Sequence, residues 1–541
     1  MDMLLCGSSA LLEKIWLKTL VAPDTTLRGN GMDHFFQRLL LLTVAQYMAF
    51  KIYRIFIYPH WISPLRHLPG PRDGHFFLGQ TINMFKQECP FSIYVKWVRQ
   101  FPDTPVIRYL SFANAEVLVP LTPDGLKEVL QTKCYDFHKS RLWLRIVVEF
   151  AGWGIVTFDG DAHKASRKML SMAFSLANIR RTEPVFRDEA FEISKTLSRT
   201  LAAEGSGTAV VDAIEVMSKA TLDIMGVASL GVYLSSLREG TDVDGDKPSE
   251  ARGHHYDFRQ AYDTIFAGST LGKVLTFANS LFPFLVARWL PLEENRRALF
   301  AAAWIRNALT QLVGDRYREV RGAVANGTHL SNESRDLLTF IVEESGPGGA
   351  AEGVPEDEVV GHTGIYIMAT KPSIQKVLHE EIRTVTTKTV DPAYSDMDGL
   401  SYLDSFVKEV MRVYNPAATT HREAAKSLTL QGISVPRGTT LDIIPAVTML
   451  SRAIWGDDVD EFDPTRWGRL SEEQASPYVF SAFSNGPRIC LGKAFALMEI
   501  KIILVELVSR FRFLRVERPF KVEVPGLTTR PQGMEIRFEA R

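Results

Sequence analysis

Phe483-Ser484-Asn485-Gly486-Pro487-Arg488-Ile489-Cys490-Leu491-Gly492 stands directly ahead of a long apolar segment with helical spacing, and its residue types set the reading of the whole chain. One cysteine lies in a tight turn that carries two glycines. A thiolate held in such a turn, with backbone N–H groups directed at the sulfur, can serve as the axial ligand of a haem iron, and an anionic ligand favours O–O cleavage. Gly486 and Gly492 are expected to permit the turn and close approach of the porphyrin. Arg488, two residues before the cysteine, suits a buried haem propionate, because a guanidinium grips a carboxylate in a fixed fork. Phe483 is expected to pack over the sulfur side and keep water out.

All fixed positions of this stretch match F-x-x-G-x-R-x-C-x-G, and in this the chain resembles the cytochrome P450 superfamily; the proline-rich Ser63 to Pro71 resembles the hinge of its microsomal, fungal-type members. A lone cysteine is ordinarily an inert core residue. Its company here reverses that judgement. The resemblance covers roughly residues 59 to 540 and implies a mainly α fold with small β-sheets, built as one large catalytic domain behind an N-terminal membrane anchor.

Composition agrees with one large catalytic body. A length of 541 residues alone suggests several domains, yet no linker, repeat or low-complexity tract divides the chain. The 62 basic and 63 acidic side chains leave a net charge of −1, which gives no basic footprint for nucleic acid. Cys6, Cys89, Cys134 and Cys490 do not form a spaced disulfide framework, so a reducing, cytosol-facing setting is expected. The sequons at Asn326 and Asn332 then read as unmodified surface loop.

The region of membrane character runs from Phe35 to Ile57, within an N-terminal segment taken as residues 1–58. Its charge-free run, Leu39 to Phe50, is shorter than the roughly 20 residues of a clean span. Snorkelling of Lys51 and Arg54 extends it, and a helix lying in the interface is the competing reading. Cations follow the segment more than they precede it, which places the body on the cytosolic side. Acids and bases within residues 1–34 argue against a cleaved signal peptide. Next comes a stiff hinge over residues 59–72, containing Pro64, Pro69 and Pro71, and then the catalytic domain, residues 73–541.

Further motifs fall in the family's order. Tyr402 to Arg412 has apolar residues at helical spacing and puts Glu409 and Arg412 on one face, like the family's E-x-x-R helix. Arg466, in Glu461-Phe-Asp-Pro-Thr-Arg466-Trp467, resembles the arginine that the family's meander adds to that pair. The resemblance makes Glu409, Arg412 and Arg466 a buried ion network that locks the haem-side scaffold. Gly160-Asp-Ala-His163-Lys-Ala-Ser-Arg167 resembles the C helix, with His163 where many members have tryptophan; His163 and Arg167 share a face and are expected at the haem propionates. His421 and Arg422 occupy the strand that supplies another propionate contact, and the sequence does not choose between them.

One segment departs from the family. Its long helix over the haem carries an acid or amide next to a threonine, after Ala-Gly, for proton delivery. Here Pro355 to Ala369 begins like that helix and is followed at once by Thr370-Lys-Pro372 and a second helix. About fourteen residues span about 20 Å, too little to cross such a domain. The proton-delivery segment is expected to be missing between Ala369 and Thr370. Thr363 stands too early to replace it, and Glu380 and Glu381 read as a charged helix face.

The resemblance implies a haem b monooxygenase with Cys490 on the iron, acting on an apolar terpenoid, other secondary metabolite or xenobiotic. It also implies NADPH-cytochrome P450 reductase as electron donor, cytochrome b5 as a possible second partner, and residence in the endoplasmic reticulum membrane. Substrate contacts are expected from residues 142–150, 277–289, 417–420 and 531–534. Two alternatives stand: a haem-thiolate isomerase or dehydratase acting on a peroxide, and a haem-binding remnant or mis-spliced form with impaired turnover.

Overall fold

The computed structural model describes residues 31–231 apart from 88 and 90, isolated positions between 232 and 291, and residues 292–325, 358–389, 392–523 and 530–541. The chain divides into two compact units, Met1–Arg66 and His67–Arg541.

In the first unit, helix α1 (Gly31–Ile52) continues into a wider-turned helix, Tyr53–Ile62, that accommodates Pro59. Residues His34–Ile62 make the one helix among the described residues that is long and apolar enough to cross a membrane, with a mean hydropathy of 1.4 and an unburied surface. Its 29 residues reach about 43 Å at the α-helical rise, more than a hydrocarbon core of roughly 30 Å. Lys51 and Arg54 do not end it. Lys51 Nζ lies 5.2 Å from the Tyr47 ring centre and Arg54 Cζ lies 4.8 Å from that of Tyr58, so aromatic faces meet both cations. Removal of residues 1–58 is expected to release the body from membranes; complete retention in carbonate-washed membranes would contradict this assignment.

The second unit is mostly helical, with small sheets. Its largest sheet contains β1 (Val106–Leu110), β2 (Glu116–Pro120), β3 (Phe137–Lys139), β4 (Thr420–Ala424) and β5 (Thr440–Ile443) in the order β1-β2-β5-β4-β3. Only β2 and β5 run parallel. In the antiparallel β3–β4 pair, Lys139 stands opposite Arg422. A second sheet interposes Glu535–Ala540 between Thr208–Asp212 and Phe511–Arg515.

The helices that position the site are α2 (Gly160–Ala173), α3 (Glu183–Glu204), α4 (Glu358–Thr370), α5 (Pro372–Thr386), α6 (Ser401–Val413) and α7 (Lys493–Arg510). Helix α7 is apolar nearly all round and is the central rod of the core, burying Phe495, Met498, Ile502, Leu504 and Leu507. Phe186 of α3 meets Phe495 edge-on at 4.7 Å. Helix α4 has 13 described residues and stops at Thr370. Pro372 then starts α5 at a position where a missing N–H costs nothing. Gln375 secures the corner: its amide donates to the carbonyls of Met368 and Phe513, both at 2.9 Å, and its oxygen accepts the Phe513 N–H at 2.8 Å.

Candidate active site

The cysteine loop is built against the segment before β3. Cys490 N–H donates to the Phe483 carbonyl at 2.8 Å, closing the loop, and Cys490 itself is half-buried at the foot of α7. A helix N-terminus there favours an anionic sulfur. Gly486 takes φ +70°, and a Cβ on it would stand 2.1 Å from the Leu130 carbonyl oxygen, so no other residue fits. Gly492 corrects the expectation made of it. Its φ of −79° is open to any residue, so the turn does not demand glycine there, and a Cβ would make an ordinary contact with the Cys490 sulfur at 4.0 Å. Phe483 packs into the core cluster that contains α7.

Cationic side chains converge beside this loop. Arg488 Nη2 donates to Asp159 Oδ1 at 2.8 Å and to the Phe137 carbonyl at 3.0 Å, while its Nε and Nη1 are buried with no hydrogen-bond partner. Arg167 donates to the carbonyl of Ile489, inside the loop. His163 is buried with Nδ1 unpartnered; burial first, and then the Lys139, Arg488 and Arg167 cations, push its imidazole down to about 4. Burial, with Arg488 adding, brings Arg422 down to about 10, and its Nε also lacks a partner. Lys139 falls to about 7 for the same two reasons, against the pull of Asp159.

The strand sends His421 and Arg422 to different partners. Consecutive residues of β4 point to opposite faces. Arg422 faces the cation group, whereas His421 Nδ1 pairs with Asp442 Oδ1 at 2.6 Å on the other side. Asp442 also accepts from the hydroxyls of Tyr94 and Tyr109, at 2.9 and 2.5 Å.

Buried cations that depress one another, with donors aimed at nothing, are costly unless an anion completes them. Asp159 is one carboxylate for several cations. The two carboxylates of a haem would answer the unpartnered nitrogens of His163, Arg422 and Arg488 and raise the depressed His163 and Arg422. The residues fit the group.

Glu409, Arg412 and Arg466 meet as a closed, buried set. Glu409 accepts from Arg412 Nε and Nη2, each at 2.8 Å, from Arg466 Nε at 3.1 Å, from Trp467 Nε1 at 3.0 Å and from Asp463 N–H at 3.0 Å. The remaining guanidinium hydrogens of Arg412 reach the carbonyls of Met449, Val459 and Glu461.

Sequence reasoning missed three residues. Lys139 and Asp159 belong to the cation group; only the place of Asp159, just before the Gly160 that opens α2, signalled its position. Glu381 is more than a charged helix face. It accepts the N–H groups of Tyr402 and Leu403, each at 2.8 Å, and so caps the helix that carries Glu409. Glu380 does remain on the surface, 3.8 Å from Lys376.

Thr363 is buried in α4, and Thr370 spends its hydroxyl on the carbonyls of Tyr366 and Ile367. Of the expected substrate segments, 142–150 lies in the helix Arg141–Ala151, 417–420 leads into β4, and 531–534 follows from Arg530. Residues 277–289 and the sequons at Asn326 and Asn332 lie outside the described residues.

A mainly helical body with small sheets, a cysteine loop at the foot of its central helix and a buried cation group beside it define the haem-thiolate oxidoreductases. The chain belongs to the cytochrome P450 family, whose pattern matches residues 69–363 and 359–538. It is similar to the cytochrome P450 monooxygenase FUM15 of Gibberella moniliformis, with 29% identity over 85% of each chain. Similar too are the cytochrome P450 monooxygenases sphH of Aspergillus fumigatus, 26% identical over 95% of each chain, and ptmK of Penicillium ochrochloron, 27% identical over 90% of this chain and 96% of its own. As a member of this family the chain is a haem-binding oxidoreductase of the monooxygenase class.

Proposed function

We propose that this protein oxygenates an apolar small molecule of secondary metabolism, a terpenoid or similar compound, with electrons from NADPH delivered by a membrane-bound reductase and with cytochrome b5 as a second donor. The observation that carries this reading is the loop around Cys490 with unpartnered buried donors beside it. Haem bound there supplies dioxygen activation, one oxygen atom entering a C–H or C=C bond and the other leaving as water.

Cys490 is the iron ligand, and the start of α7 favours its anionic form. His163, Arg422 and Arg488 hold the propionates, while Arg167 braces the loop at Ile489. Phe483 and the core packed around it keep water from the sulfur. Glu409, Arg412 and Arg466 fix α6 against the meander. With the helix His34–Ile62 as anchor, the body works at the cytosolic face of the endoplasmic reticulum.

Helix α4 limits this activity. The match to the family pattern is broken into two segments, and residues 359–363 fall in both. This supports a missing stretch, and we place it there, upstream of the Ala369–Thr370 junction that sequence reading alone suggests. Loss of an acid–threonine pair would remove the side chains that hold a proton ready for transfer, and loss of that stretch of helix would leave the site less closed to water.

The chain with reductase is therefore expected to consume NADPH and release hydrogen peroxide with little product. Inserting on the order of 25 residues after Thr363, enough helix at 1.5 Å per residue to cross the domain, with an Ala-Gly and an acid–threonine pair, should couple electrons to oxygenation. Product formed per NADPH in the two proteins is the measurement, and efficient coupling by the unmodified chain would contradict this account of α4. The short helix also favours a second reading, isomerisation or dehydration of a preformed peroxide. Turnover of such a substrate without NADPH would select it.

A further inference from the structure

We propose that Asp159 is a positioning residue for the haem carboxylates, holding Arg488 and the end of β3 so that unpartnered nitrogens of Arg488, Arg422 and His163 face one anion site. The proposal rests on the haem reading above and adds a residue to it.

Asp159 occupies the position before α2 where an aspartate ordinarily accepts N–H bonds from the first turn, and its side chain makes none. Both of its oxygens are turned away from the helix. Oδ1 accepts from Arg488 Nη2 and Oδ2 accepts from the backbone N–H of Lys139, each at 2.8 Å. His138 Nδ1 lies 4.0 Å from Oδ2. The Lys139 ammonium completes the tie, donating to the carbonyls of Ile155 and Phe158 at 2.8 and 2.6 Å. One carboxylate thus links the cysteine loop, β3 and the start of α2.

The division of labour within Arg488 gives this link its direction. Nη2 is committed to Asp159 and the Phe137 carbonyl, whereas Nε and Nη1 are buried and unspent. A guanidinium fixed through one nitrogen presents the others without further loss of side-chain freedom. Arg422 stands across from Lys139 on the strand paired with the one that Asp159 holds, and His163 lies one turn into the helix that Asp159 precedes. Their unpartnered Nε and Nδ1 are buried, at 7% and 2% residue exposure.

The test uses the full-length holoprotein and its variants Asp159→Asn and Asp159→Glu. Transfer of haem to an excess of apomyoglobin is timed, the reduction potential is recorded, and the reduced carbon-monoxide spectrum is taken in parallel. Asp159→Asn is expected to lose haem roughly 10-fold faster, as outer partners of a ligand set do, and to shift the potential while keeping a thiolate-type spectrum. Asp159→Glu should restore most of both. Adding Asp159→Asn to Arg488→Gln should cost little beyond Arg488→Gln alone, because the first acts through the second. Wild-type haem retention in Asp159→Asn, slower loss than wild type, or fully additive losses would overturn the proposal while leaving the haem site intact. A wild-type protein with no thiolate spectrum would instead overturn the haem reading.

Discussion

Glu409→Gln is expected to destabilise the catalytic body by about 3–5 kcal/mol, the usual cost of removing one partner from a buried ion pair. The carboxylate, Arg412 and Arg466 are essentially inaccessible, with side-chain exposures of 0%, 0% and 5%. Glutamine keeps the shape and reverses part of the chemistry. Its amide nitrogen must face a guanidinium in either orientation, and the two arginines lose the buried carboxylate they share, leaving Arg466 with the half-exposed Asp458 at 3.5 Å. Both guanidiniums also lie near the Trp455 ring, at 5.2 and 5.9 Å, so their displacement disturbs the packing of the meander. Against a total stability of roughly 5–15 kcal/mol this is a large fraction. The urea unfolding midpoint, followed by far-ultraviolet circular dichroism, should fall well below that of the parent. A midpoint within error of the parent would show that the network is not what holds α6 to the meander. Glu380→Gln, on the solvent face of α5, should leave it unchanged.

The parts of this site that were legible in the sequence are those whose residue types leave little choice. A cysteine with Phe483, Gly486, Arg488 and Gly492 at fixed offsets encodes the loop locally, and Glu409 with Arg412 shares a helix face by spacing alone. The choice between His421 and Arg422 was not legible. Neighbours on a strand always point apart, and which face meets the site depends on where β4 sits in its sheet. Lys139 and Asp159 were illegible for a related reason: Arg488 lies 329 residues from Asp159, and an aspartate before a helix is read as a cap. Glu381 failed the same way. On its own helix it looks like a solvated acid, and its partners are the N–H groups of a helix that begins twenty residues later. Gly492 erred in the opposite sense for the turn, since a glycine invites a conformational explanation and its φ of −79° needs none. The end of α4 at Thr370 was legible because Pro372 disfavours simple continuation of the helix.

Cys490→Ser carries the largest expected effect, because every functional statement above depends on sulfur as the iron ligand. A serine hydroxyl is close in shape, and the Cys490 N–H bond to the Phe483 carbonyl belongs to the backbone, so the loop should close as before. What changes is the donor atom. A thiolate pushes electron density toward iron and a hydroxyl does not, so the variant should retain its fold and lose the thiolate-type spectrum together with NADPH-dependent oxygen reduction. The most direct measurement is the reduced, carbon-monoxide-bound absorption spectrum of the purified full-length chain beside that of Cys490→Ser. The account predicts a thiolate-type Soret band from one haem per chain in the parent and its complete absence in the variant; the same band in both proteins would contradict it.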